Sequence, residues 1–221
     1  MYFLMKLLLG PLLQLLYRPW SVGWDNIPKK GGAIIASSHM SFIDSIIISH
    51  FSKRKVHFLA KREYFTGRGF KGFLMRCFFR LTNQIAMDRS GGTASEKSLQ
   101  AALDILAKGR LLAIYPEGTR SHDGKLYRGR TGIARLVLKA NVPVIPASVF
   151  NTHLAMPRGK YLPRFFRVGV IFGKQLSFER YLGFEGDRFV LRSITDEVMY
   201  EIYSLSGRQY TDAYASNARL K

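Results

Sequence analysis

The stretch SSHMSFIDSIIISH, residues 37–50, sets a histidine, His39, five positions ahead of a carboxylate, Asp44. An imidazole titrates near neutrality, and a carboxylate on one ring nitrogen fixes the tautomer and turns the other nitrogen into a base. Such a pair can act as a catalytic base and its partner. In one continuous helix, residues five apart point about 140° away from each other. The pair therefore meets only if His39 lies in a turn and folds back over the first helical turn. A second reading competes. Ser41-Phe42-Ile43-Asp44 fits a capping box, with Ser41 as N-cap and Asp44 reaching back to it. This stretch alone leaves both open.

Other polar groups follow apolar runs in the same way. YPEGTRS (115–121) places Glu117, Gly118, Thr119 and Arg120 in a tight turn, where glycine allows close backbone approach to a ligand and arginine can chelate a phosphate. AMDRS (86–90) offers Arg89, with Asp88 as a simple partner for it, and Lys61 and Arg130 add two more cations. Taken singly, each of these is equally well a solvated surface charge. VPVIPAS carries two prolines in a strand-like run, which implies an edge or a bulged strand. His50, His57, His122 and His153 are scattered and form no metal-ligand pattern, and no Gly-x-Ser-x-Gly nucleophile elbow is present. Cys77, the one cysteine, sits in an apolar setting and reads as a buried core residue, with no internal disulfide and a reducing compartment implied.

These groups need a frame. AIIAS (33–37), VHFLA (56–60), QIAM (84–87), LLAIY (111–115), VPVIPASV (142–149) and RVGVIF (167–172) read as buried strands separated by helix-length segments. In ASEKSLQAALDILAKG, Leu99, Leu103, Leu106 and Ala107 share a face, and Gly109 stops the helix. The alternation predicts an α/β fold with a mostly parallel central sheet flanked by helices. The chain divides into an N-terminal helix (1–20), one domain (21–207) and a polar, frayed tail (208–221).

The 221 residues are 47% hydrophobic and carry a net charge of +19, so the chain is globular and its partner is anionic: nucleic acid, a phosphorylated substrate or a membrane surface. Residues 51–90 hold ten Lys/Arg against two acids. Within them, GFKGFLMRCFFRLT reads as a basic amphipathic helix, either membrane-facing or packed on the core with a solvated basic face. The N-terminal MYFLMKLLLGPLLQLLYRPW is too interrupted for a membrane span of about 20 apolar residues. Lys6, Gly10, Gln14 and Arg18 would draw a polar stripe along it, as in a helix lying in the membrane interface. A helix packed on the core is the alternative. A nucleic-acid binder would account for the charge, but no helix-turn-helix, zinc or RNP-like signature accompanies it.

Taken in order, HMSFID (39–44), IAMDR (85–89), YPEGTRS and VPVIP (142–146) resemble the four motifs of the glycerolipid acyltransferases, most closely the lysophosphatidate (1-acyl-sn-glycerol-3-phosphate) acyltransferases, over about residues 22–175. The resemblance implies transfer of a fatty acyl chain from acyl-CoA or acyl-carrier protein to the free hydroxyl of lysophosphatidate, giving phosphatidate. It implies His39 as general base and Asp44 as the carboxylate that orients it. By the same resemblance Arg89, with Lys61 and Arg120, holds the acceptor phosphate, Glu117, Gly118 and Thr119 belong to the acceptor-binding turn, and Pro146 marks the acyl-donor region. Ser38 stands where Asn is common and Tyr115 where Phe is usual. No cofactor or metal is implied, because a thioester is already activated. Glycerol-3-phosphate, another lysophospholipid or a glycolipid remain alternative acceptors. The expected partners are an anionic membrane surface, the lysophospholipid and the acyl donor, not nucleic acid, with the protein membrane-associated on the cytoplasmic face.

Overall fold

The computed structural model of the chain describes residues 2–61, 63–67, 69, 72–73, 76–77, 84–87, 92–157, 159–160 and 162–217. Six apolar runs become strands close to the predicted positions: β2 (Ala33–Ser37), β3 (Val56–Lys61), β4 (Gln84–Met87), β5 (Leu111–Ile114), β7 (Val144–Phe150) and β8 (Gly169–Phe172). Three short strands, β1 (Trp20–Val22), β6 (Leu126–Tyr127) and β9 (Tyr210–Thr211), carry no periodic signal. Seven strands form one sheet in the order β1-β8-β7-β2-β5-β3-β4, while β6 pairs with β9. Every neighbour in the large sheet is parallel except β7 with β8.

Parallel strands need crossovers, and crossover helices cover both faces of the sheet. All five residues of β2 are accordingly buried, which is why the run is continuously apolar up to Ser37. The helices are α1 (Tyr2–Tyr17), α2 (Asp44–Phe51), α3 (Glu63–Thr66), α4 (Gly92–Ala107), α5 (Gly132–Ala140), α6 (Thr152–Ala155) and α7 (Arg188–Ser206). On α4, Ser98, Ala102 and Leu106 lie innermost, with Leu99 and Leu103 half-buried, and Ala107 points outward. α7 starts at Asp187, whose carboxylate accepts the Phe189 and Val190 N–H groups, and ends at Gly207 in the left-handed region.

The strand directions bring the candidate site residues to one edge. β2, β3, β4, β5 and β7 all exit there. β8 runs antiparallel to β7 and β1 parallel to β8, so both of these begin at that edge, with Phe150, Gly169 and Trp20 in register.

Four expectations change. The stripe on α1 splits. Lys6 Nζ turns inward and donates to the Ser52 carbonyl (2.7 Å) at the end of α2, where a cation meets the negative end of a helix. Gly10 faces His50, and Leu13 and Tyr17 complete this buried face, leaving Leu7, Leu12 and Leu15 exposed. Among the described residues no helix is long and apolar enough to cross a membrane. Pro146 lies in an interior strand, not at an edge. The Gly173 N–H donates to the Pro146 carbonyl (2.8 Å), so the missing proline N–H faces the place where residues 173–175 bulge away between the β8 pairing and the Val144–Leu176 bridge. The β2 side of β7 bonds instead through Pro143 and Ala147 carbonyls and loses nothing. The segment after Gly207 is docked, not frayed, as far as residue 217: β9 pairs with β6, the Arg128 N–H donates to the Ala213 carbonyl, and Ala215 is fully buried. Cys77 is half-buried rather than buried. The basic helix expected within 69–82 lies largely outside the described residues.

Candidate active site

His39 lies just past the end of β2, at the shared edge. The helix that follows starts at Asp44, with Ile43 and not Ser41 as its N-cap. The Ser41 hydroxyl donates instead to the Met156 carbonyl (2.8 Å). The other half of the capping pattern does form: Asp44 Oδ2 accepts the Ser41 N–H (2.8 Å) and the Met40 N–H (2.7 Å). The same oxygen lies 2.8 Å from His39 Nδ1. The cap and the histidine pair are thus one arrangement. Asp44 is fully buried, a costly place for a carboxylate, and these three groups all bond its Oδ2, while Oδ1 has no hydrogen-bond partner among the described residues. An oxygen already accepting two N–H groups takes a third donor, so Nδ1 carries hydrogen and the neutral ring keeps its lone pair on Nε2.

Two contacts fix the ring and its backbone. The imidazole stacks on Tyr115 with centroids 3.7 Å apart and planes 9° from parallel. The Tyr115 hydroxyl lies 2.8 Å from Ser45 Oγ, on the first turn of α2. Burial, and then the charge of Asp44, push the Tyr115 phenol well above its ordinary range, so it remains neutral.

Glu117 sits in the turn after β5 and is almost wholly buried. Its Oε1 accepts the His39 N–H (3.1 Å) and its Oε2 the Tyr127 N–H (3.0 Å). The Ser121 N–H closes the link by donating to the His39 carbonyl (2.8 Å). Both Glu117 oxygens therefore hold backbone, and one of those pieces of backbone carries His39. Burial raises the Glu117 pKa to about 8, against the two N–H donors and the charge of Arg208, which favour the ionised form.

Gly118 has φ +74, which favours glycine for the turn, and an added Cβ would lie 3.1 Å from the Arg130 side chain. Arg130 is exposed at this turn. Its N–H donates to the Pro116 carbonyl (2.8 Å), its guanidinium lies 5.1 Å from the Tyr214 ring, and Nη2 donates to Ser216 Oγ (3.1 Å). Thr119 and Arg120 are half-buried beside it, and Arg120 makes no hydrogen bond or ion pair to any described residue. Lys61 ends β3 at the same edge, opposite Met87 in register. Its side chain, and Arg89 altogether, lie outside the described residues. Pro146 pairs with Ala36 on the strand beside β2, three residues before His39 in the β2 register.

Sequence reasoning missed Arg208. Its Nη2 donates to the Val149 carbonyl (2.6 Å) and its Nη1 approaches Ser38 Oγ (3.5 Å). Burial lowers its pKa, countered by Asp44 and Glu117, so this cation stands behind both carboxylates. Ser38, where asparagine was the expected residue, also accepts the Val149 N–H (3.2 Å). No local pattern announces Arg208, because it follows a helix C-cap and reaches the site only through the fold. A separate cavity of about 220 Å³, lined by Pro143, Phe178 and Leu182 among others, opens at the start of β7, the edge opposite His39.

The Acyltransferase family model matches residues 21–150, more than half of the chain. A 1-acyl-sn-glycerol-3-phosphate acyltransferase of Limnanthes douglasii is 31% identical over 136 residues, which is 61% of this chain and 47% of that protein. Another so named, from Bacillus subtilis, is 29% identical over 126 residues, 56% of this chain and 58% of its own length. The chain thus spans about half the length of these curated relatives. The crystal structure of the 1-acyl-sn-glycerophosphate (LPA) acyltransferase PlsC from Thermotoga maritima has the same fold, with a TM-score of 0.72 at 23% identity, over 95% of this chain and 81% of that one. The matched segment begins at β1 and ends with β7, so it takes in His39, Asp44, the Glu117–Arg120 turn and Pro146 together. On this match the chain belongs to the acyltransferase family.

Proposed function

We propose that the chain transfers a fatty acyl group from a thioester, acyl-CoA or acyl-carrier protein, to the free hydroxyl of lysophosphatidate, giving phosphatidate. The observation that carries this reading is the 2.8 Å contact of His39 Nδ1 with a buried, triply bonded Asp44 at the edge where the strands exit. Nε2 takes the proton of the acceptor hydroxyl as its oxygen attacks the thioester carbonyl. The tetrahedral adduct collapses, the C–S bond breaks, and the departing sulfur takes the proton back from the imidazolium. General-base assistance of this type contributes about 10²–10⁴-fold. Asp44 holds the ring for attack and stabilises its charged form.

The names of the relatives support lysophosphatidate as the acceptor. Arg120 and Arg130, with Lys61 and Arg89 at the neighbouring strand exits, are the cations assigned to its phosphate; Glu117 serves that turn from within, through its backbone bonds. The exposed Leu7, Leu12 and Leu15 of α1 support a seat on the membrane, the helix lying on the bilayer and not across it. The test is thiol release from acyl-CoA and from acyl-carrier protein over a panel of lysophosphatidate, glycerol-3-phosphate, lysophosphatidylcholine and no acceptor. Lysophosphatidate should give the highest kcat/KM. A preference for glycerol-3-phosphate would replace the acceptor, and release that ignores every acceptor would sink the reading.

A further inference from the structure

Between Asp123 and Glu179 the sequence contains no acidic residue. Inside that span, the connection from α6 to β8 displays Leu162 (81% exposed), Phe165 (78%) and Phe166 (39%) among the exposed cations Lys160, Arg164 and Arg167. Single exposed apolar side chains are common, but a contiguous exposed apolar patch marks an interaction site, and here the patch alternates with charge of one sign. The described residues of the loop form no helix or strand, yet its base is tied down. The Arg164 N–H donates to the Ala155 carbonyl (2.8 Å), the Val168 N–H to Tyr17 at the end of α1 (3.2 Å), and Asn151 Nδ2 to the Arg167 carbonyl (3.0 Å). The protein therefore holds the greasy tip outward at a defined place.

That place is the functional edge. β8 begins where β7 ends, and β7 exits beside β2, so the loop reaches the sheet at the edge carrying His39. Met156, which opens the connection, accepts the Ser41 hydroxyl from the His39 loop. Val168, which closes it, bonds to the end of α1.

We propose that residue 160 and residues 162–167 form a second membrane-docking surface, specific for anionic lipid, which seats the His39 edge of the sheet against the bilayer. Leucine and phenylalanine enter the boundary between headgroups and acyl chains, while Lys160, Arg164 and Arg167 meet lipid phosphates. The site's orientation would then be set by two contacts, α1 and this loop, one on each side of the β1–β8 entry. The proposal rests on the lipid-substrate reading only for the use of that orientation; the charge and the exposed side chains stand without it. An acidic carrier protein is the competing occupant. The apolar residues favour lipid, since three bulky hydrophobic side chains at a loop tip suit insertion better than a charged surface.

The test uses the full chain with Phe165→Cys in a Cys77→Ser background, labelled with an environment-sensitive dye, and vesicles of phosphatidylcholine with or without phosphatidylglycerol. The dye should shift to an apolar environment with the anionic vesicles. The Lys160→Gln, Arg164→Gln, Arg167→Gln triple variant should bind those vesicles on the order of 10²-fold more weakly, at about fivefold per cation. Leu162→Ser with Phe165→Ser should weaken binding to the same vesicles at unchanged charge. Sedimentation with vesicles while the dye stays silent, or an equal response to neutral lipid, overturns the proposal. So does a dye shift with acyl-carrier protein and none with vesicles. Wild-type thiol release in detergent micelles separates the two readings: turnover without a dye response removes the surface and keeps the enzyme, whereas a dye response without turnover does the reverse.

Discussion

Asp44 lies past the exit of β2 and Glu117 past the exit of β5, and both carboxylates are buried and accept backbone N–H groups. Only Asp44 also reaches a ring. One of its oxygens gathers two amides and the imidazole, so backbone and base are fixed by a single atom. Glu117 spreads its two oxygens over two pieces of backbone, one of them the amide of His39 itself. The first carboxylate sets which nitrogen of the imidazole is basic. The second sets where the imidazole stands. Residue type and depth of burial do not separate these roles; the donors that meet each oxygen do.

Substitutions at the two exits should differ accordingly. His39→Ala is the largest, a fall in kcat of about 10²–10⁴-fold with little change in the urea midpoint. Intact turnover would end the assignment of the base. Asp44→Asn should follow, because a neutral amide oxygen in the place of Oδ2 accepts the same three donors more weakly and does not stabilise a charged imidazole. It should lower kcat and, by weakening buried charge-assisted bonds, cost about 1–3 kcal/mol in denaturant unfolding. A variant that lost stability but kept its kcat would reduce Asp44 to a helix cap.

Glu117→Gln should be milder, about 0.5–1.5 kcal/mol for a weakened bond, and its signature is pH. In the folded chain Glu117 keeps its proton up to about 8, whereas 4.5 is the ordinary value. Its contribution to stability is therefore full below about pH 4.5 and is lost as pH rises toward about 8. Glutamine does not titrate, so the variant should gain on wild type across that window in melting temperature. A gap that stays constant with pH would refute the burial of a titrating group. Tyr115→Phe is the smallest. It removes the bond to Ser45 and keeps the stack on His39, so a loss of about 0.5–1.5 kcal/mol with kcat within a few-fold of wild type is expected from melting and initial rates.

Much of this frame was legible in advance, for physical reasons that vary by element. Fully buried parallel strands must be apolar on both faces, which makes β2, β5 and β7 visible as continuous runs. β1, β6 and β9 are two or three residues long and exist only because distant segments pair with them, so no local pattern marks them. The stripe on α1 misled because Lys6 finds a helix-end carbonyl 46 residues away. Pro146 misled because the cost of its missing N–H depends on what lies opposite, and opposite it the partner strand bulges.

By itself the sequence determined the chemical parts: a histidine and a carboxylate five apart, a Glu-Gly-Thr-Arg turn, a surplus of cations and the alternation of strands and helices that sets them at strand ends. Those follow from local spacing and from side-chain chemistry. Only the tertiary structure decided that Asp44 holds the His39 ring and the Met40 and Ser41 amides at once, that Glu117 grips the backbone of His39, that Arg208 stands behind both, and that a basic, apolar loop shares their edge. Each of these is a contact between segments far apart in the chain, and such contacts are settled by strand order and direction, which no single stretch of sequence contains.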